Sequence, residues 1–152
     1  MNFEYPATVR FRCTKCGICC GDTKDKIRHI LLLRTEAEQI AKTTTQPISN
    51  FAVEKPDRLP YTYEMKKMNE DGKCVFLENN LCTIYPLRPL ICRFYPFELK
   101  PAHKGKYKFL FTEECHGINK GQMLGEQHFR NMFQLAHAKH RQKADSKVQA
   151  NQ

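Results

Sequence analysis

Residues 13 to 21 read Cys13-Thr14-Lys15-Cys16-Gly17-Ile18-Cys19-Cys20-Gly21, and this stretch holds half of the 8 cysteines in a chain of 152 residues. A Cys-x-x-Cys pair in a tight loop turns two sulfurs onto one ion, and Gly17 and Gly21 supply the permissive backbone that such a loop needs. Cys16-Gly17-Ile18-Cys19 repeats the spacing, so three ligands stand at i, i+3 and i+6. Three cysteines so placed, with one remote cysteine, also hold many iron-sulfur clusters, and the spacing alone does not choose between zinc and iron-sulfur. Neighbouring side chains of an extended stretch point to opposite sides, which predicts that Cys19 and Cys20 do not share one small site.

The other cysteines, Cys74, Cys82, Cys92 and Cys115, are too far apart in sequence for any local turn to join them. They converge only if the fold brings them together. The count admits two four-cysteine sites, or one such site with the remaining thiols buried or redox-active. His116, beside Cys115, is the best-placed histidine for a ligand or proton donor.

A chain of this length suits a single domain, here residues 1–142, followed by a polar tail at 143–152 that reads as disordered. The longest aliphatic run, Ile30-Leu31-Leu32-Leu33, is far short of the roughly 20 residues that span a bilayer. Glu4, Pro6 and Arg10 stand where a signal peptide needs an apolar core. The expected setting is the cytoplasm, away from membranes, where thiols stay reduced and metal ligation rather than disulfide pairing accounts for the cysteines. The formal charge of +9 counts thiols as neutral, whereas four thiolates give a Zn2+ or [4Fe-4S] site a net negative charge. Lysine and arginine are also dispersed along the chain, so a nucleic-acid face is not the favoured reading.

Working outward from the first loop, Tyr5 to Arg12 reads as an extended arm that delivers it, and Ile27 to Leu33 as a short strand. Thr35-Glu36-Ala37-Glu38 fits a capping box, with Thr35 at the cap and Glu38 reaching back, opening a helix that ends near residues 42–45. A short helix after Pro47 takes Ile48, Phe51 and Ala52 into the core. Tyr61 to Met65 suits a strand, Asp71-Gly72 a turn and Cys74 to Leu77 the returning strand, with a second turn at Glu78-Asn79-Asn80 before Leu81 to Tyr85. Pro89 opens a short helix through Cys92 that Pro96 stops; Tyr107 to Phe111 is a strand, and His116 to Gly121 a loop. Phe129, Met132, Phe133 and Ala136 recur at helical spacing between Met123 and Arg141, giving an amphipathic helix that covers the sheet. Tyr85 and Tyr95 read as core aromatics. The expected fold class is α+β: a small irregular antiparallel sheet with a few helices, held around a cysteine-ligated metal centre, with a C-terminal amphipathic helix.

The full pattern is Cys13-x-x-Cys16-x-x-Cys19-Cys20, then Cys74-Val-Phe-Leu, Cys82-Thr-Ile-Tyr85-x-x-Arg88-Pro89-x-x-Cys92-Arg93-x-Tyr95-Pro96 and Cys115-x-Gly117-Ile118. Over about residues 10 to 121 it resembles the YkgJ-type cysteine-cluster family, the CxxCxxCC zinc- or iron-chelating domain. The resemblance implies a metal centre drawing on all the cysteines. Flagellin lysine N-methylases, much longer proteins, share the motif and are linked to iron-sulfur-dependent methyl transfer; the resemblance carries over the cluster and not that activity. Arg88 and Arg93 suit a cofactor-binding role, because guanidinium groups donate to sulfur and offset the charge of a desolvated cluster. Pairing of the two arginines with carboxylates or backbone carbonyls is the structural alternative.

Three functions follow as expectations. The first is a cytoplasmic protein holding an iron-sulfur cluster, [4Fe-4S], for redox or cluster-dependent chemistry with a redox partner or protein substrate. The second is a structural Zn2+ module that binds protein or RNA. The third, a methyl-group transferase, lacks any recognisable nucleotide cradle. No residue declares itself catalytic, and whether the chain is an enzyme stays open.

Overall fold

In the computed structural model, which describes residues 2 to 68 and 70 to 150 with side chains as far as residue 140, short strands alternate with three α-helices. The side chains of the 143–152 tail lie outside the described residues. In chain order the elements are β1 (Phe3–Glu4), β2 (Arg10–Phe11), β3 (Leu31–Leu32), α1 (Arg34–Thr44), β4 (Ala52–Glu54), β5 (Tyr63–Met65), β6 (Leu77–Glu78) and β7 (Leu81–Cys82). After them come α2 (Leu90–Phe94), β8 (Phe97–Pro101), β9 (Tyr107–Phe111), β10 (Ile118–Met123) and α3 (Glu126–Ala150). The α+β class is as expected, but the antiparallel sheet is divided into four small ones: β1-β9-β8, β10-β2, β3-β5-β4 and the β6-β7 hairpin. Only β1 with β9 runs parallel among the described pairs. No helix among the described residues is long and apolar enough to cross a membrane.

Two apolar clusters organise these elements. One gathers Phe3, Val9, Phe97, Phe109, Ile118 and Phe129 with Cys115. Phe129 of α3 is fully buried, with its ring centroid 5.1 Å from both Phe97 and Phe109, so the C-terminal helix covers the β8–β9 sheet as its apolar spacing predicts. The other gathers Ile30, Leu32, Ala37, Ile40, Phe51, Met65 and Ile84 with Cys74. Helix α2 joins both: Leu90 and Phe94 belong to the first cluster, while Ile91 and Cys92 pack against the second. Positions i and i+4 share one helix face, which is how one short helix serves two cores.

Several elements differ from the sequence expectation for physical reasons. Helix α1 starts two residues earlier, with Leu33 at its cap, and Glu36 rather than Glu38 reaches back to accept the Leu33 N–H at 3.0 Å. Cys74 to Leu77 is not the return strand of β5, because Leu31–Leu32 and Ala52–Glu54 fill both edges of β5. Residues 118 to 123 form a strand instead of a loop, with a register shift between Ile118 and Met123 and with Asn119 in the left-handed region at φ 68°. Strand β8 was masked by its mixed polarity and is recruited by the strongly patterned β9. Tyr85 is 54% exposed and is not a core residue; it turns outward from a 3-10 turn, Tyr85–Leu87.

Glu36 is the one buried charged residue of the described core. Its second oxygen accepts the Leu90 N–H at 2.5 Å and the Lys139 ammonium at 2.9 Å, so this carboxylate ties α1 to the start of α2 and to α3. Glu36→Ala leaves two buried N–H groups without an acceptor and is expected to cost about 2 kcal/mol, read as a drop in the thermal midpoint of the metal-loaded protein. Glu64 sits between His29 at 2.6 Å and Lys55 at 3.2 Å. Burial works to raise its pKa, but the hydrogen bonds and charges of His29 and Lys55 outweigh it and hold the carboxyl below its ordinary value of 4.5. A lowered carboxyl contributes stability above the unfolded value and loses it as pH falls through the folded value. Glu64→Gln should therefore flatten the loss of stability below about pH 4.5, measured by urea unfolding across that range.

Candidate metal centre

Backbone hydrogen bonds join the first cysteine loop to the segments that carry Cys74 and Cys115. Arg12 N–H donates to Gly117 O at 3.1 Å, and the Arg10 guanidinium donates to Gly121 O at 2.8 Å, which sets the start of the first cysteine loop beside Cys115. A Cβ on Gly117 would stand 2.3 Å from the Arg12 carbonyl oxygen, so only glycine permits this approach. On the other side of the loop, Cys74 N–H donates to Cys20 O at 2.5 Å and Asp22 N–H to Gly72 O at 3.1 Å. Here a Cβ on Gly21 would lie 2.6 Å from the Gly72 oxygen. The two close approaches explain why glycine stands at 117 and 21 beside the thiols of Cys115 and Cys20.

Backbone amides also aim at the sulfurs. Lys15 N–H lies 3.4 Å from Cys13 Sγ, Phe76 N–H 3.5 Å from Cys74 Sγ and Gly117 N–H 3.4 Å from Cys115 Sγ. Ile84 N–H plays the same part for Cys82. Each donor is two residues after its cysteine, in four separate loops. An amide aimed at sulfur favours the thiolate, the form in which cysteine binds metal.

Cys19 and Cys20 correct the extended-chain expectation. They lie in a 3-10 turn, Ile18–Cys20, behind a left-handed Gly17, and their sulfurs approach to 3.8 Å instead of diverging. The hydrogen bond from the Cys20 thiol lowers the Cys19 pKa to about 6 against the opposing effect of burial, and the Arg28 and Arg88 charges add to the lowering. Cys20 is pushed up by the same bond, by burial and by the charge of Cys19. Burial also raises Cys74, Cys82 and Cys115, and takes Cys92 to about 12.

The apolar clusters divide the thiols: Cys20, Cys74, Cys82 and Cys92 pack with the second, and Cys115 belongs to the first. Cys115 responds to Cys16, Cys13 and Cys19. Cys20 responds to Cys19, Cys92 and Cys74, and Cys92 to Cys74, Cys19 and Cys82. Cys19 is charge-coupled to both: to Cys115, and to Cys20, Cys74, Cys82 and Cys92. Among the described residues no three Cys, His, Asp or Glu side chains close on one ion-sized point. His116 is exposed.

Three arginines surround this region, one of which the sequence reading did not single out. Arg28 donates from Nε to the Cys19 carbonyl at 3.2 Å, and its guanidinium lies 4.9 Å from the centre of the Tyr95 ring. Its Nη2 and the Tyr95 hydroxyl are buried and have no hydrogen-bond partner among the described residues. Burial, with the negative charge of Cys115 and Glu114, keeps the Tyr95 phenol protonated. Buried donors without acceptors are rare, and these two are suited to donate to thiolate or sulfide sulfur. Arg88 stacks on Tyr85 at 3.6 Å, and its charge reaches Cys19 and Cys82. Arg93 donates to the Arg88 carbonyl at 2.9 Å and the Pro86 carbonyl at 2.6 Å, fastening the turn that positions Arg88. Arg28 follows the cysteine loop by eight residues among other polar side chains, Lys24 to Lys26 and His29, and nothing local sets it apart from them.

A family model described as "CxxCxxCC: Putative zinc- or iron-chelating domain" matches residues 12–124, the span that contains every cysteine and stops before α3. The chain belongs to this CxxCxxCC family. Membership supports metal binding by the cysteine cluster. Two relatives from Methanocaldococcus jannaschii are similar to it, and both carry the name "Uncharacterized protein". MJ0661 is 28% identical over 123 residues, covering 74% of this chain and 60% of the relative. MJ0939 is 28% identical over 120 residues, covering 76% of this chain and 39% of the relative. The chain thus spans less than two thirds of the length of either relative. No solved structure matches.

Proposed function

We propose that this CxxCxxCC protein holds iron-sulfur chemistry in two thiolate sets, Cys13, Cys16, Cys19 and Cys115 in one and Cys20, Cys74, Cys82 and Cys92 in the other, and that it serves electron transfer or another cluster-dependent reaction. Cys20, Cys74, Cys82 and Cys92 pack with the second apolar cluster, whereas Cys115 belongs to the first and the Arg12–Gly117 hydrogen bond sets the start of the Cys13 loop beside it; this separation is the observation that carries the reading. Each set has the four thiolates that a [4Fe-4S] cluster takes, and the first has the triple spacing followed by a remote cysteine. A cluster bound in this way supplies one-electron redox chemistry. The chain's own part is to neutralise and exclude water: Arg28, Arg88 and the Tyr95 hydroxyl offset anionic sulfur, Arg93 steadies the Arg88 turn, and Cys92 and Cys74 sit against the second apolar cluster.

One observation favours zinc instead. Thiolates about 2.3 Å from a tetrahedral ion stand about 3.8 Å apart, which is the Cys19–Cys20 separation. On that reading both sulfurs bind one ion and the chain is a structural module. The deciding measurement is iron, zinc and acid-labile sulfide, with the absorption spectrum, on protein purified without oxygen. About four iron and four sulfide per set, with a broad band in the visible, supports the cluster. Zinc without sulfide or colour overturns it in favour of the module.

A further inference from the structure

Far from the cysteines, the β8–β9 hairpin ends in Lys100-Pro101-Ala102-His103-Lys104-Gly105-Lys106-Tyr107-Lys108, four lysines and a histidine with no acidic residue. All but Tyr107 are exposed. Two features of this tip work against stability and both present positive charge. Lys100 and Lys108 are direct cross-strand partners, and like charges placed opposite one another in a ladder repel. Lys104 adopts a left-handed backbone, φ 57°, ahead of Gly105 at φ 71°, in a turn where asparagine or glycine is at ease and lysine is not. Acids stand beside the outer two lysines only: Glu98 pairs with Lys100 at 3.7 Å, and Glu4 of β1 is the register partner of Lys108, while the turn from Ala102 to Lys106 carries none. No ion pair joins Lys104, Lys106 or Lys108 to a carboxylate among the described residues.

The uncompensated charge is therefore concentrated at His103, Lys104 and Lys106 on the turn itself. We propose that the hairpin tip binds the phosphodiester backbone of nucleic acid without reading its sequence. A two-stranded ribbon fits the major groove of a duplex, and lysines act there as point charges on phosphates. Lys100 to Lys106 offers no large apolar side chain, so it lacks the buried anchor that a protein partner needs and the apolar wedge that enters a lipid interface. The inference does not depend on which metal the cysteines hold.

The test uses the metal-loaded full chain and fluorescence anisotropy with a labelled duplex DNA and a single-stranded RNA, each titrated between about 50 and 200 mM salt. K104Q/K106Q/K108Q should weaken binding at least about tenfold at the low-salt end and reduce the slope of log affinity against log salt by about 2 to 3, with metal content unchanged. K24Q/K42Q/K120Q removes the same charge from exposed lysines elsewhere and should change the slope by less than about 1. Equal losses in the two variants, no binding by the parent, or tighter binding to phosphatidylserine vesicles than to either nucleic acid would each overturn the proposal.

Discussion

Cys115→Ala and Cys92→Ala should each remove roughly half of the bound metal, and the double variant nearly all of it, if the two cysteines serve the two thiolate sets proposed above, Cys115 in the first apolar cluster and Cys92 against the second. The effects on stability are expected to be large and unequal. Structural metal sites contribute on the order of 10 kcal/mol of folding free energy, and Cys92 lies on α2, in the seam between the two apolar clusters. Losing its set therefore loosens both clusters, whereas Cys115 stands at the end of a loop beside one. Metal analysis by mass spectrometry, with thermal unfolding of the same samples, separates these outcomes. A Cys115→Ala protein with the parent's metal content would show that Cys13, Cys16, Cys19 and Cys115 do not form a set.

Gly117→Ala is expected to be the most damaging substitution that leaves every thiol in place. The new Cβ would meet the Arg12 carbonyl at 2.3 Å and the Phe11 ring at 2.8 Å. Backbone on one side and a packed ring on the other cannot both yield, so β2 and β10 must separate and carry Cys13 away from Cys115. The cost is about 3 kcal/mol or more, a fall of roughly 6 to 12 °C in the thermal midpoint for a chain of this size, accompanied by lost metal. Gly125→Ala is the matched control. Nothing lies within 4 Å of its new Cβ, and it should behave as the parent in both measurements.

These two predictions divide what could be read from the residues from what could not. The α+β class, the helix at Arg34–Thr44, the β9 strand and the role of Phe129 follow local signals: an apolar period, a capping acid, a proline stop. The turn at Asn79-Asn80 was equally plain, since both residues take the left-handed backbone that asparagine tolerates. Pairings between distant segments were not legible. Nothing in residues 28 to 33 announces that Arg28 will lie beside Cys19, and nothing in 118 to 123 announces that it will pair with Arg10–Phe11. Spacing singled out Cys13, Cys16 and Cys19 as candidate ligands, but the approach of Cys19 to Cys20 depends on the 3-10 turn at Ile18–Cys20, a conformation that composition does not specify.

The position of α2 has a consequence for how the molecule responds as a whole. A five-residue helix is too short to hold its shape alone, so its geometry is imposed by what presses on its two sides. With aromatic residues on one side and thiols on the other, the helix acts as a shared wall between rooms. On the reading proposed above, metal held at Cys92 would stiffen this wall and so steady the aromatic side, the cluster that carries the β8–β9 hairpin.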